Sequence, residues 1–157
     1  RIQALARNHD LVVNGQGGRV ELGGLVRSQL AHFADALDSR ITTEGPLLSV
    51  SAHAGQSIGM AIHELATNAA KYGALSVADG RIAVSWAIHD DDLFEMSWTE
   101  RGGPPVVAPA QRGFGTRVIK QMLEMGLEAT VNLDYADSGL RWRLRCAAQT
   151  IAETRDP

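Results

Sequence analysis

The chain has one cysteine, no long apolar run and almost no charge imbalance, and each shortage closes off a class of protein. Cys146 has no partner for an internal disulfide, which points to a reducing compartment and excludes a disulfide-stapled secreted domain. No apolar stretch approaches the roughly 20 residues that a membrane-crossing helix needs, and the opening residues lack a signal-peptide pattern. A net charge of −3 supplies no bulk attraction toward nucleic acid or an anionic membrane surface. No internal repeat or low-complexity tract interrupts the chain. What these exclusions leave is a cytoplasmic globular domain without nucleic-acid or membrane contact. Its 157 residues suffice for one domain with a real core. The first residue is Arg1 rather than Met, so a piece of a longer protein is expected.

Hydrophobic periodicity divides the chain in two. The first half reads as helical. Arg1 to Val13 has a helical face through Ile2, Leu5 and Ala6, and Asn14 to Gly18 ends it with a glycine-dense linker. Glu21 to Asp38 resumes the period through Leu22, Leu25, Val26 and Leu30, although Gly23-Gly24 weakens its first turn. Short strand candidates, Arg40 to Thr43 and Leu47 to Ser51, flank Glu44-Gly45-Pro46. A long helix follows, with Ile58, Ile62, Leu65 and Ala69 on its buried side and Gly73 placed for a left-handed stop.

The second half alternates as strands do. Arg81 to Ile88 and Leu93 to Trp98 turn around Asp90-Asp91-Asp92, and Ala129 to Tyr135 and Leu140 to Cys146 form a second hairpin. Leu140, Trp142, Leu144 and Cys146 face inward; Arg141, Arg143 and Arg145 face out. Between the hairpins, Glu100 to Pro105 is expected to be irregular, and Gly113-Phe114-Gly115 opens a helix that ends at Gly126. Ile151 to Pro157 reads as a polar tail. Helices grouped beside hairpins indicate an α+β two-layer sandwich: a mixed, mostly antiparallel sheet with helices on one face.

Three clusters carry chemistry. Glu64, Asn68 and Lys71 follow at spacings of four and three on the long helix, so a carboxylate, an amide and an ammonium share a face that is not the apolar one. Trp98-Thr99-Glu100 leads into Gly102-Gly103-Pro104 at a strand end. Gly113-Phe114-Gly115-Thr116-Arg117 opens a helix, where bare N–H groups and the helix dipole favour phosphate. A carboxylate beside glycines can accept from the exocyclic amine of a base. Magnesium keeps several waters, so one amide oxygen plus phosphates can hold it. Singly, each cluster has an ordinary structural explanation: a solvated helix face, a surface carboxylate, a glycine turn. Their order and placement together give the signal.

With His63 opening HELATNAAKYGALS and Trp98-x-Glu100 preceding the glycines, the chain resembles the ATP-binding catalytic domain of an HWE-type bacterial sensor histidine kinase. The wider group has the Bergerat fold. The resemblance implies Mg²⁺ and ATP as cofactors, with Asn68 as the metal ligand. It implies Glu64 as the group that polarises the attacking imidazole or a water, supported by His63, and Lys71 as a phosphate contact. Tyr72, Glu100, Gly102, Gly103, Gly113, Gly115, Thr116 and Arg117 would line the nucleotide, Glu100 taking the adenine amine. Pro105 to Arg112 would be the lid. Residues 1–18 resemble the end of the dimerisation and phosphoacceptor region with its linker, 19–150 the catalytic domain, and 151–157 a tail. No phosphoacceptor motif such as His-Arg-Val-Lys-Asn is present. The implied activity is therefore transfer of the γ-phosphoryl to a histidine outside the fragment, and thence to a response-regulator aspartate. The alternatives are a nucleotide-binding switch without chemistry and an anti-sigma-type serine kinase.

His63-Glu64 lacks the second histidine of a zinc helix, since position 67 is Thr. Cys146, at an inward strand position, is expected to be an inert thiol.

Overall fold

The structure is a computed structural model in which residues 18–33, 36, 39–105 and 113–152 are described. The helix expected over 1–13 and the lid expected over 105–112, apart from Pro105, lie outside those residues. The elements in order are β1 (Arg19–Glu21), α1 (Leu22–Leu30), β2 (Ile41–Glu44), β3 (Ser49–Ser51), α2 (Ala52–Tyr72), β4 (Arg81–Ile88), β5 (Leu93–Arg101), α3 (Gly113–Gly126), β6 (Thr130–Ala136), β7 (Gly139–Ala147) and α4 (Ala148–Ala152).

Five strands form the main sheet in the order β2-β4-β5-β7-β6. Only β2 and β4 run parallel; the other three pairings are antiparallel. The two strand candidates around Gly45 do not pair with each other: β2 joins the main sheet, while β3 pairs with β1 in a separate two-stranded sheet. The expected α+β two-layer sandwich is what forms. Inward residues Ile82, Val84 and Trp86 of β4, Phe94, Met96 and Trp98 of β5, and Leu140, Trp142 and Leu144 of β7 are buried against the helices. The intervening residues of these strands form the sheet's other face, which no described element covers. Fully burying side chains of this size contributes about 1.5–3 kcal/mol each.

Local sequence explains the helix starts. Ser51 caps α2, its hydroxyl accepting from the Ala54 amide at 3.1 Å. Glu21 caps α1 through both carboxylate oxygens, accepting from the Gly23 and Gly24 amides. The glycine pair that weakens helix propensity makes this cap possible. A Cβ at Gly23 would lie 2.9 Å from Glu21 Oε1.

Three expectations are corrected. β5 runs on through Glu100 and Arg101, because both pair with β4, at Ile82 and Arg81. The stop after α2 is not left-handed: Gly73 has φ −115°. The tail expected from Ile151 does not begin there, because residues from Ala148 are helical. They form α4, which buries Ile151 at 1 % exposure, so the packed core reaches into the segment expected to be tail.

Candidate functional site

The site assembles where the end of α2, the end of β5 and the start of α3 meet. On α2, Ile58, Ile62, Leu65 and Ala69 sink into the core, and the polar stripe turns away from them. Its members differ in depth: Asn68 is buried at 7 %, Glu64 and His63 are half-buried, and Lys71 and Tyr72 are exposed.

The first and third sequence clusters come together across α2 and α3. Asn68 Nδ2 donates to Thr116 Oγ1 at 3.0 Å, although the residues are 48 apart in sequence. That bond fixes the amide, and its Oδ1 has no hydrogen-bond partner among the described residues. Glu64 lies against Gly115 so closely that a Cβ there would sit 2.0 Å from Glu64 Oε1. A side chain at Gly115 would therefore push the Glu64 carboxylate aside. Gly113 begins α3, Thr116 is half-buried on it and Arg117 is exposed.

The second cluster builds a buried carboxylate. Glu100 is 3 % exposed. Its Oε1 accepts from the Ala74 amide at 2.9 Å and its Oε2 from the Trp98 indole Nε1 at 2.9 Å. Residues two apart on a strand share a face, so Trp98 and Glu100 both point inward and the indole reaches the carboxylate. Trp98 therefore does more than pack beneath the site: it orients the acid. Each carboxylate oxygen has a second lone pair for a further donor.

Small residues let the segments close around Glu100. A Cβ on Gly73 would lie 2.2 Å from Glu100 Oε1, and one on Gly103 would lie 2.9 Å from the Ala74 Cα. Gly73 is thus required for clearance, which is the physical reason behind the corrected helix stop. Gly102 has φ +71°, and beyond it the chain leaves the sheet. Gly139, at φ +138°, packs the β6–β7 turn onto the main chain of Glu100, where a Cβ would fall 1.8 Å from the Glu100 carbonyl oxygen. Sequence reasoning missed Gly73, the Ala74 amide and the bond from Trp98. Of these, only the last had a signal, the shared strand face of positions 98 and 100.

Among the described residues no group of three His, Cys, Asp or Glu could hold a metal ion. A divalent cation here would rely on a single protein oxygen such as Asn68 Oδ1, completed by ligand oxygens and water, as magnesium accepts. The donor set fits Mg²⁺, and the described residues lack the three ligands that a zinc site needs. Cys146 stands apart on β7, its thiol pushed up to about 11 by burial, as befits an inert side chain.

Known proteins resemble the chain in sequence and in fold. The family model described as HWE histidine kinase matches residues 1–47. A blue-light-activated histidine kinase of Brucella ovis is 38 % identical over 143 residues, 89 % of this chain but 29 % of that protein. The chain thus spans less than a third of the curated relatives it matches. Among solved structures, the histidine kinase domain of an Erythrobacter litoralis blue-light-activated histidine kinase superposes with a TM-score of 0.73 at 18 % identity, covering 98 % of this chain and 76 % of that one. The histidine kinase ThkA, solved in complex with the response regulator protein TrrA, gives 0.63 at 16 % identity, covering 84 % of this chain and 42 % of that one. With the family-model match, the extended identity and the shared fold in hand, the chain belongs to the HWE histidine kinases, as a domain with their catalytic-domain fold.

Proposed function

We propose that this domain binds Mg-ATP and presents its γ-phosphoryl to a histidine on a dimerisation and phosphoacceptor region of the same kinase, from which it passes to a response-regulator aspartate. The observation that carries this reading is the meeting of three sequence-distant clusters: Glu64 on Gly115, Asn68 on Thr116, and Glu100 on Ala74 and Trp98. Residues 1–18 would connect to the phosphoacceptor helices, with the catalytic domain beginning at 19. The parent would act in the cytoplasm, and the domain itself touches neither membrane nor nucleic acid.

Phosphoryl transfer asks the protein mainly for positioning and charge neutralisation. The bound cation, when present, would neutralise phosphate charge. Asn68 would hold it through Oδ1, its amide being oriented by Thr116. Lys71, exposed at the end of α2, would contact phosphate, as would Arg117 and the Gly113–Gly115 main chain. Glu100 accepts from the adenine amine while the Trp98 and Ala74 donors keep it in place. Gly102, Gly103 and Tyr72 border the base. Glu64 accepts the proton or polarises the imidazole that attacks, and His63 beside it supports that role.

Two substitutions test the assignment. Asn68→Ala should abolish Mg²⁺-dependent ATP binding measured by calorimetry; unchanged affinity would sink the metal-ligand role. Glu64→Ala should keep nucleotide binding and lose transfer to a supplied phosphoacceptor fragment. Transfer that survives intact would favour a nucleotide-controlled switch in which Glu64 has no chemical part.

A further inference from the structure

The sheet has a second face that the nucleotide reading leaves unused, and its chemistry is basic. Arg81 and Arg101 stand directly opposite each other on the antiparallel β4–β5 pair. Both lie on the face away from the helices, because their neighbours Ile82 and Glu100 are buried on the other. Like charges in this arrangement repel and destabilise a sheet. Beside them runs a groove of 380 Å³ lined by Arg40, Arg81 and Arg101, with Ser39, Thr42 and Thr99 adding hydroxyls, and Ile82 and Ala83 completing the wall. Among the described residues no carboxylate lines it. Among the described residues none of these three arginines forms an ion pair.

We propose that this groove is a second anion site, taking the phosphate group of a small soluble molecule. Two of its guanidiniums are already held through one nitrogen each. Arg40 Nη1 donates to the Val77 and Ala78 carbonyls, and Arg81 Nη1 donates to the Ser39 carbonyl at 2.7 Å. Guanidinium carries five N–H donors in a fixed fork, so the remaining donors stay available on arginines whose freedom is partly spent. A doubly charged oxyanion between Arg81 and Arg101 converts their repulsion into shared attraction through charge-assisted hydrogen bonds. Thr42 and Thr99 offer neutral donors to the remaining oxygens. Arg141, in register with Thr99 on one side, faces Asp134 on the other, so the positive field centres on Arg40, Arg81 and Arg101. The groove's volume falls in the range of small-molecule sites. A flat bilayer would meet the guanidinium tips without reaching the threonine hydroxyls on the sheet floor. The sheet itself separates this groove from Glu100, so the proposal does not depend on the nucleotide reading.

The test is a ¹H–¹⁵N titration of the chain with inorganic phosphate and with pyrophosphate, without Mg²⁺. It is run on wild type, Asn68→Ala, the Arg81→Gln/Arg101→Gln double variant and Thr99→Val. Saturable shifts are expected at the amides of Thr42, Arg81 to Ala83 and Thr99 to Arg101. They persist in Asn68→Ala, weaken by about tenfold or more in the double variant as two charged contacts go, and weaken a few-fold in Thr99→Val. Without ligand, the double variant should melt no lower than wild type, because a repulsive pair has been removed; pyrophosphate should raise the Tm of wild type and of Asn68→Ala but not that of the double variant. Several results overturn the proposal: shifts confined to Gly102–Gly103 and Gly113–Arg117, non-saturating shifts, or equal binding by the double variant. Perturbation of the groove amides by phosphatidylglycerol vesicles but not by pyrophosphate would also overturn it, assigning the face to a membrane surface.

Discussion

Replacing Trp98 by Phe isolates the bond that orients the buried acid. The ring stays apolar and fits within the space Trp98 leaves, but the indole N–H that donates to Glu100 Oε2 at 2.9 Å is gone. Glu100 is 3 % exposed, so little water can replace the donor. Hydrogen bonds to charged groups contribute about 1.5–3 kcal/mol, and for a chain of this size each kcal/mol moves Tm by about 2–4 °C. The expected fall is therefore about 3–12 °C, measured by thermal unfolding. Part of any fall would come from the smaller ring in a fully buried position, and a double-mutant cycle with Glu100→Ala separates the two. The packing loss occurs in both backgrounds and cancels, leaving a coupling of about 1.5–3 kcal/mol. Nucleotide affinity should fall alongside, because the carboxylate keeps only the Ala74 amide to hold it. A coupling near zero with unchanged nucleotide affinity would refute the claim that Trp98 serves Glu100.

Gly115→Ala should displace Glu64, since the new Cβ would lie 2.0 Å from its Oε1; phosphotransfer is expected to fall more than ATP affinity, read by comparing a transfer assay with calorimetry. Away from the site, Arg145 hydrogen-bonds Glu95 and holds its carboxyl below the usual value of 4.5. A depressed folded-state pKa gives stability that is present above the unfolded value and lost as pH falls through the folded one. Wild type should therefore lose this contribution below about pH 4.5, and Arg145→Met should flatten that part of the acid-unfolding curve; identical acid profiles would remove the pair from the account.

The sequence made the elements legible where one period ran long. Ile58, Ile62 and Leu65 spelled out α2, and the alternation from Arg81 to Trp98 spelled out the central strands. The reach of β5 was hidden because Gly102, Gly103 and Pro104 look like a loop signal that begins at Glu100, whereas pairing with Arg81 and Ile82 carries the strand two residues further. The helix at Ala148–Ala152 was hidden for another reason: five residues are too few to show a period, and only its contact with the core holds Ile151 inside. In the site, residue types in order are what put Glu64, Asn68 and Glu100 forward as candidates. The pairing of Asn68 with Thr116 and of Glu64 with Gly115 depends on how α2 packs on α3, a long-range fact no local spacing encodes. Gly73 looked like a conformational glycine and is a steric one.

The turn between β6 and β7 deserves a practical reading. Exposed hairpin tips usually accept grafts and tags, being far from anything that matters. Here Gly139 presses on the main chain of Glu100, with room for no added atom. A peptide spliced at Asp137–Ser138 would act as a lever on the buried acid, and a reporter placed there would read out its own disturbance. The turn at Asp90–Asp92 joins the opposite ends of β4 and β5, eight or more residues before Glu100 along the chain. It is the better insertion point for a label that must leave the site alone.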